Sequence, residues 1–185
     1  MRLFIAISLP DEIRDNIHKS AKIMKRYAAK GSFPKAENYH ITLSFLGEIE
    51  EDRIPLIRSI MDMCQVESFE ISLEDIGRFR KKDGDVVHRR VESSRRLYNL
   101  QDKLARLLTK NGFEIEKRAF QPHITIGRRV QYNSIYGFSE IIDFDEMLGL
   151  FGEKFIARSM HLFLSEQGKN GRNYLSLYEV PFKEI

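Results

Sequence analysis

Histidine and threonine occur together twice in this chain, as His40-Ile41-Thr42 and His123-Ile124-Thr125. The chain has only five histidines and three threonines, so random placement predicts roughly 0.08 His-x-Thr pairs. Imidazole has an ordinary pKa of about 6.5, so it can give or take a proton near neutral pH. Two imidazoles can serve as base and acid on opposite sides of a phosphorus atom, while hydroxyls donate hydrogen bonds to its oxygens. The repeated tripeptide therefore predicts a site that cleaves a phosphodiester.

Each tripeptide lies in a segment where polar and apolar residues alternate, 39–46 and 123–126. Residues i and i+2 of a strand face the same side, so each histidine should lie beside its threonine. The isoleucine between them should anchor the strand in the core. By the same alternation, Phe45 shares a face with Ile41 and Leu43 and is predicted to be a core residue.

Other kinds of site are not indicated. Each strand supplies one histidine, and the spacing of acidic ligands typical of zinc or magnesium sites is missing, so no metal is expected. The chain contains no Gly-x-Ser-x-Gly sequence, no phosphate loop and no dinucleotide loop, so no cofactor is expected. His88 is predicted to be a solvated or core histidine and not a third catalyst.

The composition, 42% hydrophobic and 31% charged, is that of a folded globular protein. A net charge of +3 permits a polyanionic partner without requiring one. The single cysteine, Cys64, lies among apolar residues and is predicted to be a small core side chain. The first apolar run, 3–9, is closed by Pro10-Asp11 and is too short for a signal peptide or a membrane span. A cytoplasmic protein without a membrane partner is therefore expected.

Residue periodicity predicts helices from Pro10 to about Gly31, from Asp52 to Cys64 and from Ser94 to Asn111. It predicts strands at 2–9, 39–46, 69–79, 86–91, 123–126, 155–165 and 174–180. Residues 133–152 are ambiguous, with a short helix around Asp145. No linker interrupts the chain, so we expect one α+β domain over 1–185, with antiparallel hairpins covered by helices. The order of elements suggests two similar halves, each with one His-Ile-Thr.

At these residues the sequence resembles the 2H phosphoesterase superfamily, and within it the LigT-like RNA 2′,3′-cyclic phosphodiesterases, also called 2′-5′ RNA ligases. The matching stretches run nearly the length of the chain, in the order and spacing of the family. They are Arg2-Leu3-Phe4-Ile5-Ala6, the segment 37–47 around His40, Phe120 to Arg128 around His123, and the closing Leu162-Phe163-Leu164-Ser165-Glu166.

The resemblance implies a bilobal α+β fold, with an antiparallel sheet in each lobe, helices outside and a cleft that carries both His-x-Thr motifs. It implies opening of terminal 2′,3′-cyclic phosphates of RNA, or of cyclic nucleotides, to 2′-phosphates. We expect the protein to be a monomer. His40 would protonate the departing 3′ oxygen and His123 would activate the water. Thr42 and Thr125 would bind the phosphate. Arg128 matches a basic position of the family and would contact phosphate or nucleotide.

Several alternatives stay open at this point. The same site could join RNA through a 2′-5′ linkage, or could be a nucleotide sensor without turnover. Many relatives carry tryptophan where Val87-His88-Arg89 stands, which leaves the use of His88 undecided. A basic cluster on one predicted hairpin is either a solvated strand edge or a surface that holds an RNA backbone. Its members are Arg78, Arg80, Lys81, Lys82, Arg89 and Arg90.

Overall fold

The computed structural model of the protein describes residues 1–134, 137–147, 152–169 and 171–184, without the side chain of residue 144. Over these residues, strands and helices follow one another along the whole chain. The strands are β1 (Arg2–Ser8), β2 (Ala28–Ser32), β3 (His40–Glu48), β4 (Phe69–Phe79), β5 (Asp85–Val91), β6 (His123–Tyr132), β7 (Lys154–Ala157), β8 (Ser159–Gly168) and β9 (Gly171–Pro181). The helices are α1 (Asp11–Tyr27), α2 (Ile54–Asp62), α3 (Arg95–Lys110) and α4 (Gly137–Met147).

The strands form two antiparallel sheets. One sheet has the order β3-β1-β8-β9, and the other has the order β2-β6-β5-β4-β7. In the first sheet, Ala6 of β1 is paired with Thr42 of β3. In the second sheet, His88 of β5 is paired with Thr125 of β6. Each His-x-Thr therefore lies in a different sheet, on a strand with partners on at least one side.

The helices cover one face of each sheet. Helix α3 contacts β3 and α2 contacts β9, whereas α1 and α4 contact the second sheet at β6 and β4. The buried apolar side chains of both lobes form one continuous cluster, which includes Cys64. These observations confirm the predicted α+β class, the two antiparallel sheets with outer helices, and the core position of the cysteine.

Most of the predicted elements are confirmed, but the end predicted for the first helix is wrong. Helix α1 ends at Tyr27 and not near Gly31, because residues 28–32 form β2 and pair with β6. The main-chain N–H of Asn133 donates to the carbonyl of Tyr27 at 2.8 Å, just before this pairing. Hydrogen bonds to an open strand edge therefore override the helical preference of Ala28 and Ala29.

The prediction of one continuous strand over 155–165 is also wrong. Strand β7 ends at Ala157 and pairs with β4 of the second sheet, whereas β8 begins at Ser159 and pairs with β1 of the first. The chain thus passes from one lobe to the other at Arg158, where the alternation of buried residues changes phase: Ala157 is buried before it and Met160 after it. The short helix predicted around Asp145 is confirmed as α4. Residues 135–136 and 148–151 of the ambiguous segment lie outside the described residues. None of the described helices combines the length and apolar character that a membrane span requires.

Candidate active site

The uncovered faces of the two sheets line a cleft of about 1650 Å³. His40 and Thr42 line it from the first sheet, and His123 and Arg128 line it from the second. Both histidines are the first residues of their strands, β3 and β6. Two residues that lie 83 positions apart in sequence are thus brought to one cavity, as predicted.

Main-chain geometry fixes the ring of His40. Its Nδ1 lies 2.7 Å from the carbonyl oxygen of Asn38, and a carbonyl only accepts, so Nδ1 carries a hydrogen. The Nε2 atom lies 3.1 Å from Oγ1 of Thr42. In the neutral ring Nε2 is therefore the nitrogen with the free lone pair, and the threonine hydroxyl can donate to it.

His123 repeats this arrangement in the other lobe. Its Nδ1 lies 2.7 Å from the carbonyl oxygen of Gln121, again two residues before the histidine. The ring of His40 is flanked by Phe4 and Tyr174, with centroids 4.8 and 5.3 Å away. The ring of His123 meets Phe79 edge-on at 5.2 Å. Both imidazoles therefore have a defined tautomer and a defined orientation, with Nε2 left for chemistry.

Burial and neighbouring charge keep both histidines neutral in the free protein. Burial is the main cause that lowers the pKa of His40 to about 4, and the charges of Arg128 and His123 lower it further. The hydrogen bond to Asn38 opposes this shift of the pKa. Burial also lowers the pKa of His123, with a further contribution from Arg128. An anionic ligand between the two rings would raise both pKa values and restore a proton to one of them.

The two threonines differ in their surroundings. Thr42 faces the cleft beside His40. Thr125 is not among the described residues that line the cleft, but its hydroxyl oxygen lies 3.5 Å from Nη2 of Arg128, which does line it. The guanidinium of Arg128 is thus placed at the second His-x-Thr, where it can bind an oxyanion together with that hydroxyl.

Residues 9–143, which include both tripeptides, match the model of the 2′-5′ RNA ligase superfamily. The chain belongs to the 2′-5′ RNA ligase superfamily. It is similar to an RNA 2′,3′-cyclic phosphodiesterase of Thermotoga maritima, with 31% identity over 189 residues that cover 99% of this chain and 96% of the relative. An Escherichia coli protein of the same name is 32% identical over 128 residues, 69% of this chain and 71% of that one.

Solved structures of similar proteins support the fold. The structure of Escherichia coli LigT complexed with 3′-AMP has 26% sequence identity and a TM-score of 0.79, and the match covers 98% of this chain and 97% of LigT. A structure from Thermus thermophilus has 23% identity and a TM-score of 0.81, covering 100% of this chain and 99% of that one. The fold implied by the sequence resemblance is confirmed.

The prediction that Phe45 belongs to the core is wrong. The side chain is 40% exposed and lines the cleft. The pairing of β3 with β1 is irregular on both sides of Phe45, because the register passes over Leu43 and again over Leu46. Such bulges reverse the face on which later side chains lie. Phe45 thus projects into the cleft, with the Arg2 guanidinium 5.0 Å from its ring centroid.

His88 is confirmed as a buried histidine, yet it lies against the site. Its ring stacks on Phe79 at 4.2 Å and meets His123 edge-on at 5.1 Å. Gly77, opposite it on β4, makes this position possible, because a Cβ there would lie 2.8 Å from the His88 Nε2. Burial, more than the charge of His123, lowers the pKa of His88 to about 4.

The basic cluster divides into different roles. Lys81 lines the cleft, and Arg78 and Arg90 pair with Asp85 and Asp75. The expectation of a solvated hairpin is wrong for Arg89, which is 1% exposed on the helix-covered face of the sheet. There its guanidinium binds both carboxylate oxygens of Asp145.

Sequence reasoning missed the two main-chain carbonyls that orient the histidines, at Asn38 and Gln121. It also missed Tyr174 and Arg172, which the last hairpin brings to the cleft wall. The available signal was that Arg172 and Tyr174 lie two residues apart in the last hairpin and so share one face of a strand. The sequence does not show which face of the strand lines the cleft. Among the described residues, no three histidine, cysteine or carboxylate side chains converge as a set of metal ligands.

Proposed function

We propose that this protein is a metal-independent phosphodiesterase that hydrolyses 2′,3′-cyclic phosphate termini of RNA to 2′-phosphates. The observation that carries the proposal is that His40 and His123 are oriented in the same way on opposite walls of one cleft. In each, Nδ1–H donates to the main-chain carbonyl two residues earlier. The relatives in Thermotoga maritima and Escherichia coli bear the name of this activity.

In the proposed reaction, the cyclic phosphate lies between the two Nε2 atoms. His123, neutral because burial and Arg128 lower its pKa, takes a proton from the attacking water. His40, protonated when the phosphate anion binds, gives its proton to the departing 3′ oxygen. The pKa of His40 is about 4 in the free protein, so the bound phosphate anion supplies this proton's stability by raising that pKa. One P–O bond forms, the P–O3′ bond breaks, and the phosphate stays on the 2′ oxygen.

Three side chains would bind the non-bridging oxygens, where negative charge gathers in the transition state. Thr42 and Thr125 would donate their hydroxyl hydrogens, and Arg128 would contribute its guanidinium. The 3.5 Å between Arg128 and Thr125 supports their action on the same oxygen. No metal or other cofactor enters these steps.

The active unit is proposed to be a cytoplasmic monomer, with residues 1–185 as one domain of two pseudo-symmetric lobes. Both histidines come from one chain, and a single apolar cluster spans both lobes, which supports this unit. Light scattering on the purified protein tests it: a mass near 21.7 kDa is expected, and a stable dimer would contradict it.

The test of the reaction is hydrolysis of a 2′,3′-cyclic nucleotide with EDTA present, followed by phosphorus NMR. We expect ring opening to the 2′-phosphate, and loss of turnover in His40→Ala and His123→Ala. His18→Ala is the matched control, since His18 lies on α1, outside the residues that line the cleft. Turnover retained by either active-site variant, or formation of a 3′-phosphate, would refute the assignment.

Ligation would use the same site with a 5′-hydroxyl in place of water, and the family description includes this activity. RNA halves with a cyclic phosphate and a 5′-hydroxyl are therefore supplied in the same assay. Joined product would assign the ligase reaction, and tight nucleotide binding without either product would assign a sensor.

A further inference from the structure

A second arginine lies on the cleft wall of the first lobe, opposite Arg128. Arg172 is the second residue of β9, lines the cleft and is exposed. Its Nη1 donates to the hydroxyl of Ser165, on the neighbouring strand β8, at 3.1 Å. A guanidinium held beside a serine hydroxyl offers a bidentate set of donors to an oxyanion.

One buried residue connects Arg172 to the catalytic histidine. The side-chain amide of Asn38 donates to the carbonyl of Arg172 at 2.7 Å, while the carbonyl of Asn38 accepts from His40 Nδ1 at 2.7 Å. Tyr174, two residues further along β9, meets the His40 ring edge-on at 5.3 Å. The main chain of Arg172 is therefore fixed relative to the imidazole that would act on the cyclic phosphate.

Another positive charge lies next to this arginine. The ammonium of Lys35 is 3.4 Å from the Asn173 side-chain oxygen and 3.9 Å from a carboxylate oxygen of Glu37, and Lys35 lines the same cleft. Several arginines line the cleft, and Arg172 is the one whose main chain Asn38 ties to His40. It belongs to the lobe that carries the first His-x-Thr, whereas Arg128 serves the second. A cyclic mononucleoside phosphate has one anionic group, but an RNA end has a second one at the next internucleotide linkage.

We propose that Arg172, supported by Ser165 and Lys35, binds the phosphodiester on the 5′ side of the terminal nucleotide. This inference rests on the proposed function and deepens it, because it assigns the substrate as an oligonucleotide with its 5′ body along the β8–β9 wall. Recognition is by charge and not by base, so the subsite accepts any sequence.

The test is a comparison of two dinucleotides that end in a 2′,3′-cyclic phosphate. One has an ordinary phosphodiester linkage, and the other has a neutral methylphosphonate of the same shape. For the wild-type protein we expect kcat/KM to be about tenfold higher with the charged linkage, the value of a charge-assisted hydrogen bond at an exposed site. Arg172→Gln should reduce this ratio to near one, and Arg172→Lys should restore part of it.

The ratio within one variant cancels any general loss of activity or of folded protein. Arg106→Gln is the matched control, because this exposed arginine lies on α3 outside the cleft and pairs with Asp102. A ratio of one in the wild-type protein, or an unchanged ratio in Arg172→Gln, overturns the subsite.

Failure of the proposed function gives a different result. Hydrolysis of a cyclic mononucleotide by the wild-type protein reports on that function alone, since the substrate has no second phosphate. The affinities of the two dinucleotides in their 2′-phosphorylated form report on the subsite without turnover. A charge preference in binding that Arg172→Gln removes supports the subsite, and equal affinities overturn it.

Discussion

The imidazole of His88 packs edge-on against that of His123, with ring centroids 5.1 Å apart and planes at 66°. His88 itself does not line the cleft among the described residues. It thus forms part of the wall that holds His123 in its orientation.

Removal of this wall should lower activity without removing a catalytic group. We expect His88→Ala to reduce kcat/KM about tenfold, because the His123 ring gains rotational freedom. His88→Phe keeps an aromatic edge at the same place and should retain most of the activity. Steady-state kinetics on a cyclic nucleotide check both variants, and equal activities of the two would argue against an orienting contact.

The buried His88 should also make stability depend on pH. Its pKa is about 4 in the folded protein against 6.5 when exposed, so the folded state favours the neutral ring. The stabilisation is complete above pH 6.5 and is lost as the pH falls from 6.5 to 4. The loss amounts to about 3 kcal/mol for this one group. Urea unfolding at pH 7 and pH 4.5 should show a smaller difference in His88→Phe than in the wild-type protein, and the same difference in both would exclude His88 as the source.

Arg128 should set the pH range of activity as well as phosphate affinity. Its positive charge disfavours the protonated imidazoles and so lowers the pKa of both His40 and His123. In Arg128→Gln both pKa values rise, and the bell-shaped profile of kcat/KM moves to higher pH. The maximum of kcat/KM should also fall about tenfold with the lost contact to phosphate. A profile that falls in height but stays in place would mean that Arg128 binds substrate without acting on the histidines.

The buried pair of Arg89 and Asp145 links β5 to α4, and the hydroxyl of Ser20 on α1 donates to the same carboxylate at 2.8 Å. Loss of one partner leaves the other charge buried, so Arg89→Met should destabilise the protein by about 3 to 5 kcal/mol. The double variant Arg89→Met, Asp145→Leu should be more stable than either single variant. Thermal unfolding of all three variants measures this, and additive losses would contradict the pairing.

Because Phe45 is exposed and Leu43 is buried, substitutions of these two residues should differ in their effect on the free energy of unfolding. Phe45→Ala should change the free energy of unfolding by less than about 1 kcal/mol, whereas Leu43→Ala, at a buried position, should cost about 2 to 5 kcal/mol. Urea denaturation of the two variants compares them directly. A large loss of unfolding free energy in Phe45→Ala would mean that Phe45 is a core residue after all.

Much of this site could be predicted from the sequence, because it depends on strand side chains that alternate between two faces. A histidine and a threonine two residues apart then lie on the same face. The alternation around His40 and His123 is local, and the isoleucines between the polar residues have no place except the core. Phe45 escaped the same reasoning because two bulges in the pairing of β3 with β1 change the phase, and bulges are set by a partner strand about 40 residues away in the chain.

The position of Arg89 depended on a different kind of information. A run of basic residues on a hairpin is typical of a solvated edge, and only the packing of α4 supplies the carboxylate that buries this arginine. The crossing at Arg158 was missed for a similar reason, since the strands that separate β7 from β8 are their distant partners, β4 and β1. Local sequence patterns thus predicted the strands and which side chains share a face. The exceptions depend on contacts with segments that are distant in the chain.

The central position of β1 affects how this chain is made. Its partner β3 leaves the ribosome early, but the other partner, β8, begins only at residue 159 of 185. During most of translation one edge of β1 is open, and an open apolar strand edge is a template for pairing with other nascent chains. Truncation before β8 would make that exposure permanent, so premature termination should yield insoluble protein even when both histidines have been synthesised.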